Sequence, residues 1–216
     1  MPRLERPVIV LGSGGHARVL IDVLQELGTE IMGITDPDQT LWGQTLMNVD
    51  VLGPDEKIFD IHPERILLVN ALGSTKTTKA RQKLFETWQQ RGYTFATVVH
   101  PKAVIARSVQ LAQGVQVLAG AIINPHTTVG VNSIVNTGAV LEHDCTTKEH
   151  VHLAPGVRVA GNVTIGTGTH VGIGSTVIQG LIIGENCLVA AGAVVIHSVP
   201  DNAVVMGVPG KIVRTT

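Results

Sequence analysis

The chain has 216 residues, which allows one large or two small domains, and its composition is 44% hydrophobic but only 3% aromatic. A formal net charge of −1, with no run of Lys or Arg, argues against nucleic-acid binding. The N-terminus lacks the apolar core of a signal peptide and no apolar run is long enough to span a membrane, so we predict a cytoplasmic protein without a membrane span.

The first part of the chain predicts alternating strands and helices. The apolar run Val8–Leu11 is typical of a buried strand, and a glycine-rich turn after it leads into an amphipathic helix. Ile31–Thr35 and residues 66–70 are expected to be further strands, and residues 76–91 a second helix. Strand, turn, helix and strand form a βαβ unit, so residues 1–97 are predicted to form a Rossmann-like α/β domain.

The glycine-rich turn carries the first functional signal. Gly12, Gly14 and Ala17 fit the pattern G-x-G-x-x-[GA], and Asp36 follows about twenty residues later. Glycines let the backbone approach phosphates at a helix N-terminus, whose amides favour anions. The turn therefore favours a phosphate-bearing ligand over a purely structural role. A redox cofactor is disfavoured, because the rest of the chain does not resemble a dehydrogenase substrate domain.

The second part of the chain has a six-residue period. From Val99 to Val195 an aliphatic residue recurs at every sixth position, with one lapse at Thr147. This period is neither that of a helix nor that of a simple strand, and it is typical of a hexapeptide β-helix with three repeats per triangular coil. We predict that fold for residues 98–216. A narrow prism has little room for rings, which explains the scarcity of aromatic residues.

We expect no catalytic or metal-binding role for the two cysteines and for most histidines. Cys145 and Cys187 fall two positions before the repeated aliphatic position, so we expect small buried core residues, with neither a disulfide nor a metal pair. No histidine has convincing metal-ligand spacing, and we predict no metal site. The histidines expected to be surface or capping residues are His62, His100, His126, His150, His170 and His197.

His143 is the exception among the histidines. It follows the inward Leu141 at a corner of the coil, and it lies between Glu142 and Asp144. Imidazole is the usual general base near neutral pH, and a carboxylate can orient the ring and stabilise the imidazolium. Spacing alone leaves open whether these neighbours interact, so the residues make His143 a candidate base and no more.

Several motifs in a fixed order resemble a known family. They are the turn at residues 12–17, the hexapeptide array, the segment 136–145, the segment 160–166 and the closing Gly207-Val-Pro-Gly-Lys211. Together they resemble the NeuD/PglD-like sugar O- and N-acyltransferases over essentially the whole chain. One departure is Gly210, where hexapeptide acyltransferases commonly have Ala.

The resemblance implies a fold, an assembly and two ligands. The β-helix would be left-handed, and the protein would be a homotrimer with acetyl-CoA in the groove between neighbouring β-helices. A sugar nucleotide would bind the N-terminal domain, and no metal would be needed. The function implied is N-acetylation of the 4-amino group of a nucleotide-linked 4-amino-4,6-dideoxy sugar, for surface glycan synthesis.

The resemblance also implies roles for individual residues. His143 matches the family's base, and Asp144 matches the acid that supports it. Residues matching the acetyl-CoA site are His152, Gly161 and Gly192. Residues matching the sugar-nucleotide site are Gly12, Gly14, Gly15, His16, Asp36 and Asn136.

Three alternatives stay open at this stage. The same base would serve O-acetylation of sialic acid or of another sugar hydroxyl. In a non-enzymatic scaffold, the β-helix would only trimerise the N-terminal domain. A nicotinamide-dependent oxidoreductase would be stabilised by NAD and not by a sugar nucleotide.

Overall fold

The computed structural model describes residues 4–215, and its first part is an α/β domain around a five-stranded sheet. The elements are β1 (Val8–Leu11), α1 (Gly15–Glu26), β2 (Ile31–Thr35), β3 (Thr45–Leu46), β4 (Val49–Gly53), β5 (Leu67–Asn70) and α2 (Lys79–Gln90), with 3₁₀ turns at Gln39–Leu41, Asp55–Asp60 and Pro63–Arg65. The strand order is β3-β4-β2-β1-β5, and every neighbouring pair is parallel except β3 with β4. The α/β prediction is therefore confirmed.

The helices lie close to where the sequence predicts them. Helix α1 buries one apolar face, and the chain leaves it through Gly28, whose φ of +65° suits glycine. Helix α2 begins at Lys79, three residues later than predicted. The hydroxyl of Thr78 donates to the carbonyl of Gly168 in the second part of the chain, and this tertiary contact fixes the backbone just before the helix.

The second part is a left-handed β-helix of three parallel sheets, as predicted. Sheet I contains Val98–Val99, Gln116–Val117, Ile134–Val135, His152–Leu153, His170–Val171, Leu188–Val189, Ala203–Met206 and the antiparallel Lys211–Thr215. Sheet II contains Val104–Ile105, Ile122–Ile123, Val140–Leu141, Arg158–Val159, Thr176–Val177 and Val194–Val195. Sheet III contains Gln110–Leu111, Thr128–Val129, Thr146–Thr147, Thr164–Ile165 and Ile182–Ile183.

The repeated aliphatic residues form the core of the prism. In sheet II, Ile123 pairs with Leu141 and Leu141 with Val159, so each coil repeats after eighteen residues. These side chains are almost fully buried, and they stack into one apolar column. Thr147 is also buried, and its hydroxyl lies 3.4 Å from the amide of Gly130 in the preceding coil. Cys145 and Cys187 are buried, as predicted.

The α/β domain covers the outward face of sheet I. Phe95 forms a β-bridge with Leu68, and Leu118 packs into the same apolar cluster as helix α1. Phe85 of helix α2 stacks on Phe95, with ring centroids 4.4 Å apart. These contacts hold the glycine-rich turn directly over the β-helix. No helix within residues 4–215 is long and apolar enough to cross a membrane.

Candidate functional site

A cleft of about 1040 Å³ opens between the α/β domain and the β-helix. Its walls in the α/β domain are residues 12–16, 19, 36 and 71–75. Its walls in the β-helix are the outward side chains of sheet I and the edge that joins sheets I and II, which we call corner A (residues 136–139, 154–157, 172–175 and 190–193). A ligand that fills the cleft therefore contacts both parts of the chain.

The glycine-rich turn presents free backbone donors to this cleft. Gly12 has a φ of +97°, a conformation that favours glycine, and Gly14 precedes the first residue of helix α1 without any side-chain cap. Space is open where a Cβ would project from Gly14 or Gly15. Asp36 holds the turn, because its carboxylate accepts from the amide of Ser13 at 2.9 Å. The arrangement suits an anionic group, such as a phosphate, at the helix N-terminus.

His16 links the turn to sheet I. Its Nε2 lies 2.8 Å from Oε1 of Gln116, whose own amide donates to the carbonyl of Asn70 at 2.8 Å. Burial, with a smaller contribution from the charge of Arg81, lowers the pKa of His16 to about 4. The ring is therefore neutral at physiological pH, and it contributes a hydrogen bond rather than a positive charge to the cleft.

Arg81 is a buried residue that the sequence does not single out. Its guanidinium donates to the carbonyls of Asn70 and Leu72, at 2.6 and 2.9 Å, and to that of Asn132 in the β-helix at 3.3 Å. Burial lowers its pKa to about 9, so it keeps its charge at neutral pH. Arg81 thereby fixes the loop 71–75, which lines the cleft, to both parts of the chain.

Two stacked histidines form the floor of the cleft. His152 and His170 occupy the same place in successive coils, with ring centroids 4.9 Å apart. Oγ of Ser74, from the loop 71–75, lies 2.6 Å from Nδ1 of His152 and 3.1 Å from Nδ1 of His170. Nε2 of His152 lies 3.1 Å from Nδ2 of Asn136. Sequence reasoning missed Ser74 in this group.

Burial determines the charge of both rings. It lowers the pKa of His170 to about 4, and it lowers the pKa of His152 well below the usual value, with smaller contributions from His170, His16 and Arg81. Both rings are neutral at pH 7. The expectation that His170 is a surface or capping residue is wrong, because the α/β domain covers the sheet position that it occupies. His150 is also buried, beside Glu86 of helix α2. His100 is buried as well, but its Nδ1 accepts from the amide of Lys102 at 2.9 Å, as expected of a capping residue.

His143 and Asp144 lie on another edge of the prism, between sheets II and III. We call this edge corner B (residues 142–145 and 160–163). The adjacent side chains do interact, with Nδ1 of His143 2.8 Å from Oδ2 of Asp144. An Nδ1–H donated to the carboxylate leaves Nε2 as the lone-pair nitrogen, which is the arrangement a general base needs. The side chains are 62% and 55% exposed in the single chain.

Gly161 lies one coil above His143 and provides space for its ring. A Cβ on Gly161 would lie 2.7 Å from both Cε1 and Nε2 of His143, closer than side chains pack. The backbone itself does not require glycine there, because Arg107, Pro125 and Gln179 occupy the same place in other coils. Glycine at this position therefore serves the histidine ring.

The structure separates the predicted residues into two groups. Gly12, Gly14, Gly15, His16, Asp36, Asn136 and His152 all line the cleft. His143, Asp144 and Gly161 lie at corner B, with sheet II between them and corner A. Gly192 follows the cleft-lining Ala191 at corner A, with a φ of +68° and open space beside it. No group of three or more metal-ligating side chains is present among residues 4–215.

Comparisons with known proteins cover both parts of the chain. Residues 7–88 match the family described as the PglD N-terminal domain. A mutant GDP-perosamine N-acetyltransferase from Caulobacter crescentus, solved with CoA and GDP-perosamine, is 35% identical, with 97% of each chain covered and a TM-score of 0.88. The acetyltransferase domain of PglB from Neisseria gonorrhoeae, solved with acetyl coenzyme A, is 29% identical over 96% of this chain and 99% of that one, with a TM-score of 0.88. WeeI from Acinetobacter baumannii is 25% identical over 96% of this chain and 100% of its own, with a TM-score of 0.85.

Proposed function

Because the chain belongs to the NeuD/PglD-like family of sugar acyltransferases and is an acetyl-CoA-dependent enzyme, we propose that it acetylates the 4-amino group of a nucleotide-linked 4-amino-4,6-dideoxy sugar. The reaction would serve surface glycan synthesis in the cytoplasm.

One observation carries this proposal: a single cleft joins the glycine-rich turn to the paired histidines of the β-helix. In our proposal the diphosphate of the sugar nucleotide lies at the N-terminus of helix α1, against Gly12, Gly14, Gly15, His16 and Asp36. The sugar then extends toward Asn136 at corner A, while His152 and Gly192 contact acetyl-CoA. Residues of both the α/β domain and the β-helix line the cleft, so neither part of the chain forms it alone.

The dyad at corner B supplies the proton chemistry. The amine nitrogen attacks the thioester carbon, a C–N bond forms, and the C–S bond breaks as coenzyme A leaves as a thiolate. Nε2 of His143 takes the proton that the amine loses, and Asp144 stabilises the imidazolium through Nδ1. The proton then returns to the thiolate, so the base is regenerated. Gly161 leaves the space that the ring of His143 occupies.

A complete site needs more than one chain in this proposal. His143 lies at corner B, and the cleft extends to corner A, so sheet II separates the base from the cleft of its own chain. In a homotrimer, corner B of one subunit faces corner A of its neighbour, and acetyl-CoA lies in the groove between them. A neighbouring subunit also covers the half-exposed His143 and excludes water from the reaction.

Thiol release from acetyl-CoA tests the substrate class. The panel contains UDP-, GDP- and dTDP-linked 4-amino-4,6-dideoxy sugars, each matched with its 4-hydroxy counterpart, together with sialic acid. We expect rapid release with one of the amino sugars and none with its hydroxy match, because a free amine is the stronger nucleophile. Mass spectrometry should show one acetyl group on the product nitrogen.

The other outcomes are equally informative. Release with sialic acid or with a hydroxy sugar alone would replace the proposal with O-acetylation. No release with any member of the panel, from folded protein that binds acetyl-CoA, would contradict a 4-amino sugar substrate.

A further inference from the structure

A chain of hydrogen bonds with a fixed direction runs through the floor of the cleft. It starts at Asn136, whose Oδ1 accepts from the backbone N–H of Thr137 at 2.8 Å. This contact orients the amide so that Nδ2, which can donate but not accept hydrogen bonds, lies 3.1 Å from Nε2 of His152. Nε2 of His152 therefore accepts a hydrogen bond and carries no hydrogen of its own.

The neutral ring of His152 must then carry its hydrogen on Nδ1. That nitrogen lies 2.6 Å from Oγ of Ser74, which accepts the hydrogen bond. The single hydrogen of the Ser74 hydroxyl is left to donate to Nδ1 of His170, 3.1 Å away. Asn136, His152 and Ser74 each accept and donate along this path, which ends at His170 as an acceptor. The opposite direction would place two hydrogens between Asn136 and His152.

We propose that Ser74 is a positioning residue that, with His170, holds His152 in the Nδ1–H tautomer. The one lone pair of Nε2, which accepts from Asn136 in the free chain, then accepts from an N–H group of the bound substrates in place of Asn136. This inference rests on the proposed function and deepens it. Both the acceptor amine and the amide groups of pantetheine offer such an N–H. His152 cannot then donate from Nε2 to the oxyanion of the tetrahedral intermediate, which has to take its hydrogen bond from another donor.

The position of Ser74 in the chain connects the tautomer of His152 to the proposed nucleotide site. Ser74 belongs to the loop 71–75, whose carbonyl at Leu72 is held by the buried Arg81. The same loop lines the cleft beside the glycine-rich turn, where we place the diphosphate. A ligand in the α/β domain therefore packs against the loop that sets the hydrogen-bonding character of His152 in the β-helix.

Solid-state NMR of the histidine nitrogens tests the tautomer directly. The full-length protein is labelled with ¹³C,¹⁵N-histidine and sedimented, and the signals of His152 are assigned by their loss in His152→Gln. We expect His152 to be protonated on Nδ1 at pH 7. A hydrogen on Nε2 would overturn the proposal. These spectra need no acceptor sugar, so they remain decisive even if the substrate panel shows a hydroxyl acceptor.

Two pairs of variants test the residues that set the tautomer. Ser74→Ala removes the acceptor for Nδ1–H, whereas Ser74→Thr keeps a hydroxyl at the same position. His170→Leu removes the acceptor for Ser74, whereas His170→Asn keeps a polar acceptor near the place of Nδ1. We expect the Ala and Leu variants to lose the uniform Nδ1–H signal of His152, and the Thr and Asn variants to keep it.

Kinetics separates this role from a merely structural one. Loss of the tautomer should lower kcat in Ser74→Ala by up to about tenfold, the worth of one hydrogen bond, with Ser74→Thr restoring most of it. A loop that only shapes the cleft would instead raise KM for the nucleotide sugar and leave the His152 signals unchanged. That result, in variants whose melting temperature is unaltered, would overturn the proposal.

Discussion

Among single residues, His143 and Asp144 show how the corner of a repeat fold accommodates the catalytic pair that we propose. Asp144 has a φ of +59°, and the residues at the same place in other coils also have positive φ: His126, Asn162 and Gly180. Asp tolerates this left-handed conformation better than most residues. Asp144 is therefore suited to the backbone conformation of this corner, and its side chain also reaches the ring of the preceding residue.

The backbone conformation shared by these corners allows a matched test of His143 and Asp144. His143→Ala should lower kcat by a factor on the order of 10²–10⁴, the usual contribution of a general base, while acetyl-CoA binding survives. Asp144→Asn should lower kcat less, by a factor on the order of 10–100, because the corner is kept while the carboxylate that orients the ring is lost. Steady-state kinetics gives the losses, and isothermal titration with acetyl-CoA checks binding.

A structural role of Asp144 would give a different pattern. Asn162 already occupies the same corner one coil above with a φ of 57°, so Asp144→Asn preserves the fold. Full activity in either variant would remove the dyad from the mechanism. A lower melting temperature in Asp144→Asn would show that the carboxylate acts on stability.

At the scale of structural elements, the eighteen-residue coil decides which residues meet. It stacks Gly161 on His143, and the expected consequence is that Gly161→Ala displaces the ring of His143. Since the φ of Gly161 lies outside the left-handed region and Gln179 occupies the same place one coil above, Ala is compatible with the backbone. We expect kcat to fall by about tenfold or more while the melting temperature stays near that of the wild type.

The double variant provides the control for this prediction. If Gly161→Ala acts only through the ring, then adding it to His143→Ala should cause no further loss of kcat. An additional loss in the double variant would assign Gly161 a separate role, such as a backbone contact with acetyl-CoA.

The same period shows how much of the site was predictable. Residues eighteen apart share a place on the prism, so the spacing of His143 from Gly161, and of His152 from His170, already contains both contacts. Reading each histidine singly missed the second pair. Ser74 and Arg81 could not be found this way, because they belong to a loop and a helix whose positions depend on domain packing. The period fixes contacts within the β-helix, and packing between domains supplies the others.

At the scale of the whole molecule, the site is distributed over separate edges of one prism. The proposed base, His143, lies at corner B and the cleft reaches corner A, with the outward face of sheet II between them. Four of its six outward side chains are aliphatic, with Arg158 and Thr176 as the other two, and the aliphatic Val104 is 61% exposed in the single chain. An aliphatic face of this kind is suited to burial between subunits. A cyclic trimer would cover it and bring the two corners together.

Mixed trimers test this arrangement. One subunit carries His143→Ala, and the other carries Gly14→Trp, which fills the cleft at a position with open space and a φ of −71°. Each variant alone should be nearly inactive. In a ring where the base of one subunit serves the cleft of the next, every mixed trimer contains one site with an intact base and an intact cleft. Trimers purified through a different tag on each variant should therefore recover about a third of the wild-type activity.

The recovery depends on geometry and not on the strength of either variant. If each chain completed its own site, every site in a mixed trimer would contain one of the two defects, and activity would stay at the level of the parents. Light scattering must first give a mass of three 22.8 kDa chains, because a fully active monomer would already contradict a shared site. Recovery in a trimer of that mass would place His143 of one subunit opposite the cleft of its neighbour, as we propose.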